Sequence, residues 1–244
     1  MLRTKNYIPL ISSPNAKKDR VLKCGIEKII SVEFNGVLAQ LSPQEFFENY
    51  IIKELNAKII VCGYNYTFGR QKSGDINTLK ELCKKNNIWL EIVQPVAIGS
   101  IIVSSTLIRD KIPKDIKQAN QMLGYNYYIL QSPVSGAKIG STLGYPTINQ
   151  QCFEQYIYPS YGVYVTITDD KYKSVTNVGV KPTLFESSPP VIETYIIDSP
   201  YIPAGDNVKV EFIEKIRQEQ KFASVGELKK QIAEDVVYAV RILN

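Results

Sequence analysis

Apolar positions in the first half of the chain switch repeatedly between a helical period and a strand period. "KKDRVLKCG" has helical spacing and stops at Gly25, and "KIISVEF" behind it is an apolar run of strand length. "SPQEFFENYIIKEL" opens with Ser42, Pro43 and Glu45, the signature of a capping box with proline in the first turn. The strand "KIIVCG", the helix "DINTLKELCKKNN" started by Asp75, and the strand "IWLEIVQPV" follow. A short helix begins after Ser104 and Ser105, and "DIKQANQML" makes another. Strands alternating with helices in this way predict a parallel α/β sheet.

The pattern changes near Tyr127. "YYILQSPV", "TLGYPTIN", "YGVYVTIT", "KSVTNVGV", "VIETYIID" and "NVKVEFIEKI" are six strand-like runs separated by Gly, Pro, Asp and Asn. The last segment, "SVGELKKQIAEDVVYAVRIL", has a second capping box (Ser224, Glu227) and an apolar stripe at Leu228, Ile232, Val236 and Val240. Six strands and a closing helix predict a small β-barrel braced by that helix. The expected organisation is an α/β module over residues 1–124 and a β-barrel module over residues 125–244.

Composition narrows the chemistry. The 244 residues are 44% hydrophobic and 22% charged, with a net charge of +5, an ordinary globular balance that suits anionic small molecules. There is no histidine, so Ser-His-Asp and Cys-His activation and histidine acid–base catalysis are excluded. The four cysteines are scattered without a C-x-x-C pair, which argues against a zinc site or a disulfide framework and points to a reducing cytoplasm. No apolar run approaches the length of a membrane helix. Sixteen tyrosines come without a basic stripe, so a nucleic-acid partner is not expected.

Three segments carry candidate chemistry. "SGAKIGSTLGYPTIN" holds Gly136, Gly140 and Gly144, where backbone can approach a ligand closely, and then Thr147 and Asn149 two apart. On a strand those two side chains share a face, and paired neutral oxygens suit a phosphate-bound Mg²⁺. The segment is not a Walker A loop, since the G-K-[ST] ending is absent, and it also reads as a Gly-rich turn leading into a polar edge strand. "IETYIID" sets Glu193 among apolar neighbours, either facing solvent or poised as a general base for an alcohol nucleophile. "NVGVKPT" and "IRQEQKF" contribute Asn177 and Arg217, a hydrogen-bonding amide and a cation that equally suit loop or surface roles.

Taken in order, G-x-L-G-Y-P-T-I-N, Y-G-V-Y-V, N-V-G-V-K-P-T, I-E-T-Y-I-I-D and R-x-E-x-K-F-x-S-x-x-E-L-x-x-Q-I-x-x-D resemble the riboflavin kinase module of the bacterial bifunctional riboflavin kinase/FMN adenylyltransferases, or FAD synthetases, from about Tyr127 to Asn244. The resemblance implies that riboflavin and ATP are substrates and FMN the product. It implies that Thr147 and Asn149 bind Mg²⁺ and ATP phosphate, with Gly136, Lys138, Gly140 and Gly144 around the phosphates. Glu193 would deprotonate the ribityl 5′-hydroxyl, and Asn177, Arg217, Glu219 and Phe222 would meet the flavin. Where the family usually has Arg after the glycine, this chain has Ser141.

The front half resembles the same family in "FNGVLAQLSPQEFFENYIIKEL", "VCGYNYTFGRQKSGD" and "VSSTLIRDKI". The resemblance makes Ser104, Ser105, Thr106 and Arg109 a residual nucleotide-phosphate site at a helix start, although serine capping alone explains such a segment. The family's Gly-x-Phe-Asp-Gly strand end and His-x-Gly-His helix start have no counterpart. The expectation is therefore an incomplete Rossmann-like nucleotidylyltransferase module, lacking a strand–loop–helix opening of roughly 30 residues or more, through truncation, a mis-started gene or loss of adenylyl transfer. The expected activity is riboflavin phosphorylation, with a decayed flavin- or nucleotide-binding protein as the alternative. The sequence does not indicate an oligomeric state.

Overall fold

A computed structural model describes residues 8–136, 139–179, 190–199 and 206–244. The chain divides into two compact units, residues 28–103 and a second one joining the stretch before residue 28 to residues 104–244. The expected boundary after residue 124 follows the change in sequence pattern, whereas the compact units place the helices between residues 104 and 123 with the barrel.

Helix α1 (Pro14–Lys23) starts on Ser13, whose hydroxyl accepts the Ala16 N–H at 3.1 Å. In the unit of residues 28–103, α2 is Gly36–Gln40 and α3 is Pro43–Phe46. Ser42 and Glu45 close the expected capping box, with bonds of 3.2 and 2.8 Å. The continuation differs from the expected α-helix: Phe47–Glu54 is a π-helix. Its wider turn aligns residues five apart, so Phe46 and Ile51, and Phe47 and Ile52, all reach one core. That core also holds Phe68, Leu79, Leu82 and Cys83, the last three from α4 (Ile76–Lys85), which Asp75 caps. Strands β1 (Ile59–Gly63) and β2 (Trp89–Val93) pair in parallel, with Ile60 and Leu90 on the core and Ile59, Val61 and Trp89 exposed. Strands β3 (Ala97–Ile98) and β4 (Ile101–Ile102) form a small hairpin.

The expected strand at residues 28–34 does not form. No described residue pairs with it, and Ile30, Val32 and Phe34 are exposed. A strand is held by its neighbour's hydrogen bonds, so apolar composition alone does not make one.

In the barrel unit α5 (Ser105–Lys111) and α6 (Ile116–Leu123) precede β5 (Tyr128–Gln131). Asn120 of α6 accepts the Tyr127 N–H at 2.7 Å and donates to Phe212 O at 2.8 Å. A short helix α7 (Ile139–Leu143) occupies the start of the expected strand "TLGYPTIN", and β6 begins only at Thr147 (Thr147–Gln151). Strands β7 (Gly162–Thr168), β8 (Tyr172–Gly179), β9 (Val191–Ile196) and β10 (Val208–Arg217) complete an antiparallel sheet in the order β5-β10-β7-β8-β9-β6. The Val134 N–H reaches Asn149 O at 2.7 Å in an isolated bridge, which joins the stretch after β5 to β6 and curls the sheet toward closure.

The two faces of the barrel wall are unlike. Tyr164 and Phe212 pack edge to face inside, 5.4 Å between centroids. Beside them five buried hydroxyls form one chain: Thr168 to Ser174, Ser174 to Thr166, Thr166 to Thr176, and Thr176 to Thr194, each at 2.8–2.9 Å. On the outer face Val163, Val165 and Val175 pack against Ala239, Val236 and Val240 of the closing helix α8 (Val225–Leu243).

Candidate active site on the outer barrel face

Strand register assembles residues that the sequence scatters. Asn149 of β6 lies opposite Glu193 of β9, Glu193 lies opposite Asn177 of β8, and Asn177 lies opposite Val163 of β7, which lies opposite Arg217 of β10. Residues directly opposite share a face, and Val163 faces α8, so the row runs along the outer face of the barrel. Thr147, two residues before Asn149, shares that face as expected and lies opposite Tyr195.

The Asn149 amide is the most constrained member. The residue is 6% exposed, its Nδ2 donates to Thr147 O at 3.3 Å, and among the described residues its Oδ1 is buried without a hydrogen-bond partner. A buried, unpaired amide oxygen costs about 1–3 kcal/mol, a state that Gln131 Oε1 and Gln150 Oε1 share, and it leaves Asn149 Oδ1 able to accept a further partner. Gly136 explains the crowding. A β-carbon there would stand 2.5 Å from Asn149 Cγ, so only glycine lets the loop pass over the amide. Gly140 lies in α7 and accepts the Tyr145 N–H at 2.8 Å, and Gly144 ends that helix at φ 89°. Lys138 falls outside the described residues. Ser141 is exposed on α7.

Glu193 and Asn177 are half-buried. Burial, reinforced by Asp198 and Tyr145, pushes the Tyr195 hydroxyl above its ordinary value. A tyrosine so placed stays protonated at neutral pH and is no base there. Among the described residues no cluster of three or more His, Cys, Asp or Glu side chains is placed to hold a metal. A metal here would rest on neutral oxygens and on its ligand's phosphates. Asn149 Oδ1 and the Thr147 hydroxyl fit Mg²⁺ in that sense, because hard cations take amide and hydroxyl oxygens.

The residues expected to meet flavin gather at the other end of the row. The Glu219 carboxylate lies against Gly179, where a β-carbon would meet it at once and would stand 3.2 Å from Asn177 Nδ2. Arg217 is not a free cation. Its Nε donates to Asp235 Oδ1 and Oδ2 at 3.0 and 3.1 Å and its Nη2 to Oδ2 at 2.8 Å, while Phe222 sits 5.7 Å from the guanidinium. Asp235, 3% exposed on α8, closes the C-terminal motif that resembles the family, yet the sequence reading gave it no role, because a lone Asp on a helix normally reads as surface. Its place between Ile232 and Val236 on the apolar stripe was the available signal.

The front-half candidates divide. The Ser104 hydroxyl accepts the Leu107 N–H at 3.2 Å and caps α5; Ser105 and Thr106 are exposed. Arg109 Nε is spent on Pro9 O at 2.7 Å. Ser104 thus serves as the cap of α5, and the exposed Ser105 and Thr106 stay open to solvent at the helix start.

Comparison with known proteins agrees with the barrel module. Residues 123–243 match the family model described as riboflavin kinase, and residues 1–107 match the one described as FAD synthetase. The chain is 33% identical to the bifunctional riboflavin kinase/FMN adenylyltransferase of Bacillus subtilis, over 98% of this chain and 77% of that protein. It is 30% identical to the protein of the same name from Escherichia coli K12, over 89% of this chain and 70% of the relative. A crystal structure from Streptococcus pneumoniae, described as a macrolide-efflux protein, superposes with a TM-score of 0.81 at 32% identity, covering 96% of this chain and 77% of that one. No helix of the described residues is long and apolar enough to cross a membrane. The chain belongs to the bifunctional riboflavin kinase/FMN adenylyltransferase family.

Proposed function

We propose that the outer barrel face phosphorylates riboflavin at its 5′-hydroxyl with ATP, giving FMN and ADP. The observation that carries this reading is the row Asn149–Glu193–Asn177, with an unpartnered buried amide oxygen at one end. Glu193 accepts the proton of the 5′-hydroxyl as its oxygen bonds to the γ-phosphorus and the bond to ADP breaks. Thr147 and Asn149 would hold Mg²⁺, which would supply charge neutralisation for the phosphoryl group being transferred. Gly136, Gly140 and Gly144 let backbone lie close to the phosphates, to which the family resemblance also assigns Lys138. Asn177, Glu219 and Phe222 meet the flavin, and Arg217 supports them. Most of the catalytic work is therefore positioning, as is usual for phosphoryl transfer. The ligands are small molecules, and the four cysteines are all free thiols, which suits a reducing cytoplasm.

The second family activity, adenylyl transfer to FMN, is not assigned to these 244 residues. The family resemblance gives that step to a His-x-Gly-His helix start, and the sequence contains no histidine.

The metal role of Asn149 is tested by Mg²⁺ titration of FMN formation. Asn149→Ala is expected to raise the Mg²⁺ concentration for half-maximal rate and to lower kcat about 10²-fold or more. A variant that saturates with Mg²⁺ as the parent does would remove Asn149 from the metal site.

A further inference from the structure

Asp235 is a buried carboxylate in an apolar setting, on the stripe of α8 that packs against Val163, Val165 and Val175. Its partners are specific. It takes two guanidinium nitrogens of Arg217 and the Gln231 Nε2 at 3.1 Å. Gln231 in turn accepts from Gln220 Nε2 at 3.2 Å, and Arg217 Nη1 donates to Gln218 O at 3.1 Å. With the Phe222 ring beside the guanidinium, three residues of the 218–223 segment are tied to one ion pair.

A buried pair of this kind contributes little net stability compared with apolar residues of the same volume, because both charges lose their water. What it supplies is geometry: a planar fork held at two oxygens fixes the orientation of whatever is attached. Arg217 ends the row that starts at Asn149, three strands from Glu193, or about 14 Å at usual strand spacing. That span is of the order of a tricyclic ring carrying a five-carbon chain whose terminal hydroxyl lies at Glu193.

We propose that Asp235 is a positioning residue for the flavin: acting through Arg217 and Gln231, it sets residues 218–223 in the conformation that receives the ring system. The proposal rests on the riboflavin kinase reading.

Three variants of the full chain test it: Asp235→Asn, Asp235→Glu, and the double variant Arg217→Gln with Asp235→Asn, which leaves no unpaired buried charge. Riboflavin binding is followed by quenching of flavin fluorescence without ATP, and FMN formation is followed separately. Asp235→Asn and the double variant are expected to raise the riboflavin Kd and KM by about 10- to 100-fold, with KM for ATP unchanged. Asp235→Glu is expected to recover part of the loss. A folded double variant that binds riboflavin as the parent does, or a parallel rise in both KM values, would overturn the proposal. If the parent binds riboflavin but makes no FMN, the kinase reading fails while the binding data still decide on Asp235. A parent that does not bind riboflavin overturns both.

Discussion

Glu193 takes its surroundings from two other strands, with Asn149 on one side and Asn177 on the other. Glu193→Gln keeps the shape of the row and removes the base. Steady-state kinetics should show kcat lower by about 10²–10⁴-fold with riboflavin affinity nearly unchanged; a variant that keeps most of its rate would take the role from Glu193. Gly136 gives a sharper steric prediction. An alanine there collides with the Asn149 amide, so Gly136→Ala should reproduce the raised Mg²⁺ requirement of Asn149→Ala without touching a ligand atom. Normal Mg²⁺ saturation in that variant would show that the loop, not the amide, gives way. Part of this was legible in the sequence. Thr147 and Asn149 two apart on a strand could only share a face, whereas no spacing along the chain reveals that residues 149, 193 and 177 are lateral neighbours, because register is set by pairing and turns.

At the scale of elements, the polar alternation of the barrel strands is easily misassigned. In "YGVYVTIT" the valines Val163 and Val165 face α8, and the hydroxyls of Thr166 and Thr168 point into the barrel, where the chain of hydrogen bonds satisfies them. Period-two alternation shows that two faces differ but does not say which one a helix will cover. Thr176 sits in the middle of that chain, bonded to Thr166 and Thr194. Thr176→Val keeps the shape, takes one of the two hydroxyl partners of Thr166 and removes the Thr176 bond of Thr194, so unfolding in urea should show a loss of about 1–3 kcal/mol; an unchanged midpoint would mean that the remaining hydroxyls re-pair. The capping box at Ser42 and the serine cap at Ser224 were readable because a cap depends on residues three apart, although the Glu227 carboxylate takes the Ala223 N–H and not that of Ser224. The π-helix after Phe46 and the unpaired stretch at 28–34 were not. Both depend on what lies beside the segment, a core that four apolar side chains must reach in one case and the lack of a strand partner in the other.

At the scale of the whole molecule, acid should loosen the barrel unit. Burial pushes the Glu214 carboxyl up, but Lys117 and the Tyr238 hydroxyl, which donates to it at 2.6 Å, outweigh burial and hold it below its ordinary 4.5. The Lys209 ammonium likewise holds Asp170 below its ordinary 3.8. Carboxyls depressed in the folded state add stability above their unfolded values and lose it as pH falls through the folded ones. The melting temperature should thus change little from these groups above about pH 5 and fall below about pH 4.5, and Glu214→Gln should flatten part of that fall. The central claim is that the barrel unit works as a riboflavin kinase, with the proposal beside it that adenylyl transfer to FMN does not proceed in a chain without histidine. Its most direct test is to incubate the purified chain with riboflavin, ATP and Mg²⁺, resolve the flavins chromatographically, and repeat with FMN in place of riboflavin. The account predicts FMN and ADP from riboflavin, loss of that product in Glu193→Gln, and no FAD from FMN. Failure to form FMN would contradict the kinase, and sustained FAD formation would show that adenylyl transfer proceeds here without the histidine motif.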